Sequence, residues 1–365
     1  MWENYANRRS KLMELLKKEN ISKALIGNPT SIFYLAGEMI HPYERFVGLL
    51  LDVDNNESTM IVPGVNKGCM NGRDIKEVVY SDNDGPKSTI ENLVGKVEVL
   101  GVDTQYFSMK VGTMLSEIAS NIVDISNYPS ILRRCKDDIE IDTIQNAVRC
   151  AQEAFEEIKP YIKPGVTEKE LSLKLYESMA KKDGIVTDKF VIQVLAGKRG
   201  ANPHGISGDY VLKKGDGVTV DFGAYYNYYW SDMTRTFFIE EIDPEMKKIY
   251  EIVLEANKRA LASVKAGKSI KEIDLIARDY ITEQGYGEYF IHRIGHGIGL
   301  DIHEAPYIHD RNEDVLEEGM IFTIEPGIYI PNLGGVRIED DVLVTKDGHK
   351  VLSTYSKNIE DMILH

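Results

Sequence analysis

Four carboxylates in the C-terminal half stand where like charges should repel. Asp221, in GVTVDFGAYY, is followed eleven residues on by Asp232, and Glu325, in IFTIEPG, is followed fourteen residues on by Glu339, in GVRIED. The midpoint of the first pair falls between Tyr226 and Asn227, and that of the second at Asn332, inside the turn-like PNLGG. Read as hairpins, both segments bring their two acids to facing positions, with Cβ atoms about 5 Å apart. Val218, Val220, Phe222, Ile324 and Ile338 surround them and predict burial rather than solvated hairpin tips. A single buried acid escapes its cost by holding a proton. Four that converge on a pseudo-twofold axis need cations, and two divalent ions in one site stand about 3.5–4 Å apart.

Imidazoles accompany them. His204 lies in ANPHG, while His292, His296 and His303 fall within twelve residues in FIHRIGHGIGLDIHEAP. Glycines in that segment allow sharp backbone turns. An oxygen-rich donor set favours Mn²⁺ over a thiolate zinc site, with Co²⁺, Fe²⁺ and Zn²⁺ also compatible. Paired cations acidify a water and polarise a carbonyl, which is the chemistry of amide or ester hydrolysis.

The elements that must position these groups form a repeat. KPGVTEKEL from Lys163 recurs as KAGKSIKEI from Lys265, and GDGVTVDFG from Gly215 recurs as GMIFTIEPG from Gly319. In the first motif Thr167/Glu170 and Ser269/Glu272 carry a capping-box signature, so each copy starts a helix there. Two similar halves, each with helices before strands, predict a pseudo-symmetric α+β domain over 131–365. Upstream, Leu12, Leu15 and Leu16 mark an amphipathic helix. ISKALIG reads as a strand and NPTSIFYLAG as a turn entering a short helix. FVGLLLDV and TMIVP form a hairpin about DNNES, VEVLGVD is a strand, and TMLSEIASNIV is helical. That alternation predicts a smaller α/β domain over 1–130. The long helical pattern IEIDTIQNAVRCAQEAFEEIKPYI opens the second domain.

Composition narrows the partners. The 365 residues carry a formal charge of −15, which argues against nucleic acid and anionic membranes. Cys69, Cys135 and Cys150 are too few for a disulfide scaffold. The first twenty residues hold no apolar core of a signal peptide, and no apolar run reaches about 18 residues. A reducing cytoplasm is the expected compartment.

The string HRIGHGIGLDIHE, with GVRIED and VDFGAYY…SDMTRTF, resembles the proline-specific metallopeptidases of the pita-bread fold. SIFYLAG and HPYERF resemble their smaller N-terminal domain, so the likeness covers nearly the whole chain. It implies a pita-bread catalytic domain that binds two divalent metal ions and hydrolyses the bond before proline in a small peptide. Xaa-Pro dipeptides are the implied substrate. An aminopeptidase P acting on longer Xaa-Pro-Yaa peptides is the alternative, and a non-catalytic pita-bread binding protein is a third reading. Carried over by position, the likeness makes Asp221, Asp232, His296, Glu325 and Glu339 the metal ligands, with Asp232 and Glu339 bridging. Glu325 becomes the proton acceptor. His204, His292 and His303 orient substrate, stabilise the oxyanion or assist the departing nitrogen. Arg337 holds Glu339 or meets the substrate carboxylate. Several dipeptidases of the family place an arginine four residues after the second histidine, where this chain has Tyr307. The likeness also implies a homodimer whose smaller domain closes the cleft, with Arg45 a contributor from the other subunit.

Overall fold

The computed structural model describes residues 2–365, with side chains from Asn4 onward. The chain divides into two compact units between Arg133 and Arg134.

In the first unit, among the described residues, six strands form one mixed sheet. Its centre is Lys23–Ile26, antiparallel to Gly48–Asp52 and parallel to Val99–Val102. Gly48–Asp52 and Glu57–Pro63 form the expected hairpin. The helix Pro29–Ala36 starts at Asn28, whose side chain accepts from the amides of Thr30 and Ser31. Trp2–Lys18 is the amphipathic helix, with Leu12 and Leu16 fully buried.

Two edge strands depart from the sequence reading. The helix within TMLSEIASNIV stops at Ser116, and Asn121–Asp124 instead pairs in parallel with Val99–Val102. Its β-branched Ile122 and Val123 suit a pleated surface, and pairing overrides the weak helical period. Lys76–Tyr80 closes the other edge beside Glu57–Pro63. Its charged Lys76 and Glu77 suit an exposed edge and hide the strand from an apolar-pattern search.

In the second unit each half has two helices followed by strands. The first half carries Asp138–Ile158 and Glu168–Ala180, and the second Pro244–Ala262 and Ile270–Glu283. The repeated helix starts fall where expected. Thr167 and Glu170 close a full capping box. Ser269 caps its helix by position only, and Glu272 pairs instead with the Lys268 ammonium. A neighbouring cation has displaced the backbone partner.

Four strands of this unit run in the order Ile363–Leu364, Met233–Ile239, Gly217–Gly223, Val191–Ala196. Five more run Glu304–Ile308, Gly295–Gly297, Ile321–Ile324, Asp340–Thr345, Gly348–Val351. Phe155 packs on Phe222, Phe237 and Tyr355 with ring centroids 4.7–5.8 Å apart, which ties the long helix to the first sheet. Cross-ladder bonds knit the halves together. The Glu339 amide donates to the Thr234 carbonyl at 3.2 Å, and Thr236 Oγ1 donates to the Arg337 carbonyl at 3.1 Å.

Candidate active site

The two acid-bearing hairpins differ in register. In the second, Ile324 faces Asp340 and Gly327 faces Arg337, so Glu325 and Glu339 stand opposite each other as expected. Its turn uses Asn332 at φ 68°. In the first, Asp221 faces Thr234, so Asp232 is its diagonal neighbour and not its opposite. The turn is centred one residue later than the midpoint rule places it. Asn227 and Tyr228 both take positive φ, 46° and 69°, as a tight two-residue hairpin turn requires. Turn chemistry, not symmetry about the acids, set the register.

Convergence survives the shift. Ligand atoms of Asp221, Asp232 and Glu339 lie within 4.8 Å of one another, and so do those of His296, Glu325 and Glu339. Asp232, His296 and His303 form a third such group. His296 Nε2 is 3.4 Å from Glu325 Oε1 and 3.8 Å from Asp232 Oδ2. The strand Gly295–Gly297 presents this histidine, and its flanking glycines are sterically required. A Cβ on Gly295 would lie 1.9 Å from the Thr323 carbonyl oxygen, and one on Gly297 2.4 Å from that of Ala305.

The positive charge that the protein supplies here comes mainly from Arg337, which pairs with Asp221. Burial, and then the neighbouring acids, push the Asp232 and Glu339 carboxyls well above the usual range. Burial raises Glu325 to about 8. His296 falls to about 3, through burial and then the adjacent His303, so it is neutral and free to ligate. Asp232 Oδ1 is buried with no hydrogen-bond partner among the described residues. An orphaned carboxylate oxygen among acids that hold protons only because nothing else neutralises them fits a cation site.

A cleft of about 570 Å³ opens onto these groups. Arg337 lies beneath it and grips Asp221, not Glu339: its Nη2 is 2.5 Å from Asp221 Oδ2. The same guanidinium donates to Gln193 Oε1 at 3.1 Å and to the Tyr329 hydroxyl at 2.8 Å. Glu339 takes its hydrogen bond from Thr234 Oγ1 at 2.6 Å. His292 stands 2.9 Å from the Tyr329 hydroxyl through Nε2 and 2.7 Å from the Arg293 carbonyl through Nδ1. That network assigns the proton to Nδ1, leaving Nε2 to accept from Tyr329. Burial and Arg337 hold His292 down to about 3.

The other candidates are more peripheral. His204 and His303 are exposed groups lining the same cleft. The His303 ring meets the His296 ring edge-on at 4.1 Å. Tyr307 faces His296 across the strand pair, 40% exposed, with the Arg293 guanidinium over its ring at 4.4 Å. Arg45 belongs to the first unit and pairs with Asp82 at 3.1 Å and Glu44 at 2.5 Å. Sequence reasoning missed Tyr329, Gln193 and Arg293. Neither Tyr329 nor Gln193 is itself an acid or a histidine, so a search for such clusters passes over both. Arg293 alone stood in view, inside the histidine-rich string.

The profile of the metallopeptidase family M24 matches residues 142–346, and that of the creatinase/prolidase N-terminal domain matches residues 8–135. The chain belongs to metallopeptidase family M24 and is a peptidase with the pita-bread α+β fold. Family membership implies divalent-metal binding. A prolidase from Pyrococcus furiosus is 36% identical, with a TM-score of 0.86 over 94% of this chain and 99% of that one. An Xaa-Pro dipeptidase from Bacillus anthracis is 37% identical, with a TM-score of 0.90 over 99% and 100%. An X-Pro aminopeptidase from Thermotoga maritima is 32% identical, with a TM-score of 0.85 over 97% and 99%. Among the described residues no helix is long and apolar enough to cross a membrane.

Proposed function

We propose that this peptidase hydrolyses the bond preceding proline in Xaa-Pro dipeptides. In this reading Asp221, Asp232, His296, Glu325 and Glu339 hold two divalent ions, with Mn²⁺ the expected metal. The observation that carries it is overlap among the donor groups. Glu339, Asp232 and His296 each belong to two of them, and the two carboxylates, with two oxygens each, are suited to sharing between ions. When bound, the ions supply acidification of water and stabilisation of charge at a polarised carbonyl.

The chain's own residues do the rest. Glu325, whose Oε1 stands 3.4 Å from His296 Nε2, takes the proton of the attacking water. His303 and His204 face the cleft and are placed to donate to the developing oxyanion or to the proline nitrogen. His292, neutral and pinned by Tyr329, orients the substrate. Arg337, which lines the cleft, is the cation proposed to meet the proline carboxylate, whereas Tyr307 is not among the residues that line it.

A second reading, an aminopeptidase P on longer peptides, draws support from Tyr307 in place of the family's arginine and from the similarity to the Thermotoga maritima enzyme. Turnover of Ala-Pro against Ala-Pro-Ala, each with Mn²⁺, Co²⁺, Zn²⁺ and Fe²⁺, separates the two. Cleavage of the tripeptide alone overturns the dipeptidase reading. Activity that survives complete chelation overturns the metal assignment.

A further inference from the structure

Asp232 and Glu339 are each held by a residue from the opposite half of the repeat. Thr234 stands two residues after Asp232, and Asp341 two residues after Glu339. Both Thr234 and Asp341 are fully buried. Each strand that carries one of the two acids therefore carries, one side chain further along the same face, a group that meets the other.

Glu339 is held through its carboxylate. Thr234 Oγ1 donates to Glu339 Oε2 at 2.6 Å and accepts from Arg337 Nε at 3.2 Å. A hydroxyl has a single hydrogen to give, and the bond accepted from the guanidinium leaves that hydrogen aimed at the glutamate. Arg337 thus reaches two of the acids, Asp221 directly and Glu339 through Thr234. The main chain repeats the tie, since the Glu339 amide donates to the Thr234 carbonyl at 3.2 Å.

Asp232 is held through its backbone. It lies just before Met233–Ile239, outside the strand ladder, and its amide still needs an acceptor. In the matching place of the other half the Thr234 carbonyl serves Glu339, but the Asp341 carbonyl accepts the Leu352 amide at 2.8 Å. The side chain stands in for it: Asp341 Oδ2 accepts the Asp232 amide at 3.0 Å. The Asp341 amide donates to Ser353 Oγ at 2.9 Å, which fixes the strand that presents this carboxyl. Its other oxygen, Oδ1, has no hydrogen-bond partner among the described residues. A fully buried carboxyl engaged through one oxygen is costly, and stability alone gives no reason to keep it. The placement of Asp232 does.

We propose that Thr234 and Asp341 are the positioning residues for Glu339 and Asp232, so that each half of the repeat fixes the shared acid contributed by the other. The inference rests on reading Asp232 and Glu339 as ligands shared between two ions. Hydrogen-bond partners behind a ligand set its orientation, and the loss of one costs about 10–100-fold in metal affinity or activity.

The test is calorimetric titration of the metal-free protein with Mn²⁺, with its thermal midpoint read alongside. Thr234→Val keeps the side-chain shape and removes the hydroxyl, and Asp341→Leu keeps the size and removes the acceptor. Each should weaken Mn²⁺ binding by about tenfold or more. Thr234→Ser keeps a hydroxyl and Asp341→Asn keeps an acceptor oxygen, and both should bind Mn²⁺ with the affinity of the parent. Parental affinity in Thr234→Val and Asp341→Leu, with only the thermal midpoint lowered, would make the two residues merely structural and overturn the proposal. So would a loss of affinity that the conservative variants share, and so would a loss confined to one of the two positions. If one of the deleting variants fails to fold, the other decides. Failure of both to fold shows a structural role and overturns the proposal as well. A parent protein that takes up no Mn²⁺ counts against the proposed metal site instead, so the two failures are distinguishable.

Discussion

Glu339 and Asp340 are adjacent on one strand, both buried, and their surroundings are opposite. Asp340 receives the Arg235 guanidinium at 2.7 Å, the Lys357 ammonium and the Ser353 hydroxyl at 3.1 Å. Despite complete burial its acidity is strengthened, because two cations outweigh desolvation. Glu339 turns to the other face, toward Asp221, Asp232 and Glu325, and its acidity is suppressed. Asp341, on the same face as Glu339, accepts the Asp232 amide at 3.0 Å and is likewise pushed up by burial. The protein can pay for a buried carboxylate with its own cations, and does so at Asp340. One residue away it withholds them. The difference separates a site that holds the fold together from one shaped to receive charge from outside.

The sharpest way to break this comparison is on the uncompensated side. Asp232→Asn or Glu339→Gln should lower kcat by more than about 10³-fold. Metal content should also fall below the stoichiometry of the parent. Unchanged stoichiometry would remove the shared-ligand role from that residue. On the compensated side, Asp340→Asn should leave Arg235 and Lys357 facing no full charge. It should cost about 3–5 kcal/mol of stability, read by denaturant unfolding. A loss of metal with stability intact would reverse the assignment of the two clusters. A smaller effect is expected at the cleft mouth. His303→Ala should retain its metal while kcat/KM falls by about 10²-fold. Turnover within a factor of two of the parent would strike His303 from the site.

The mildest test uses pH on metal-free protein. Glu325 binds its proton up to about 8 when folded but only to the ordinary carboxylate range when unfolded. The folded state therefore holds more protons in between, and stability falls as pH rises across that window. Asp340 has the opposite sign. Its contribution is present above the unfolded value and lost as pH falls through the lower folded one. His292 and His296, neutral when folded, oppose this trend below the ordinary imidazole range of about 6.5, so the melting temperature of metal-free protein should drop between about pH 6.5 and 8, and excess Mn²⁺ should abolish the drop by replacing protons. A flat metal-free profile would mean that the acids are not held apart from solvent.

Much of this was written in local chemistry. Asp221, Asp232, Glu325 and Glu339 drew notice because apolar neighbours made their charges anomalous, and the repeated motifs at Lys163 and Lys265 located both helix starts. His292, His296 and His303 stood out by crowding among glycines. Such signals are short in range, and they survive in one dimension because burial and helix entry depend on nearby residues. What tertiary structure alone decided depends on pairs distant in the chain. Two positive-φ residues, Asn227 and Tyr228, moved the first hairpin by one position and made its acids diagonal. Arg337 chose Asp221 over its near neighbour Glu339. Tyr329 entered the site from within the Glu325–Glu339 hairpin and Gln193 from a strand with no chemical motif, and Asn121–Asp124 became a strand only because an edge lay open beside it. Apart from the turn at Asn227 and Tyr228, whose chemistry is local, the deciding energy is a contact across the fold, and no short window of neighbouring residues contains it.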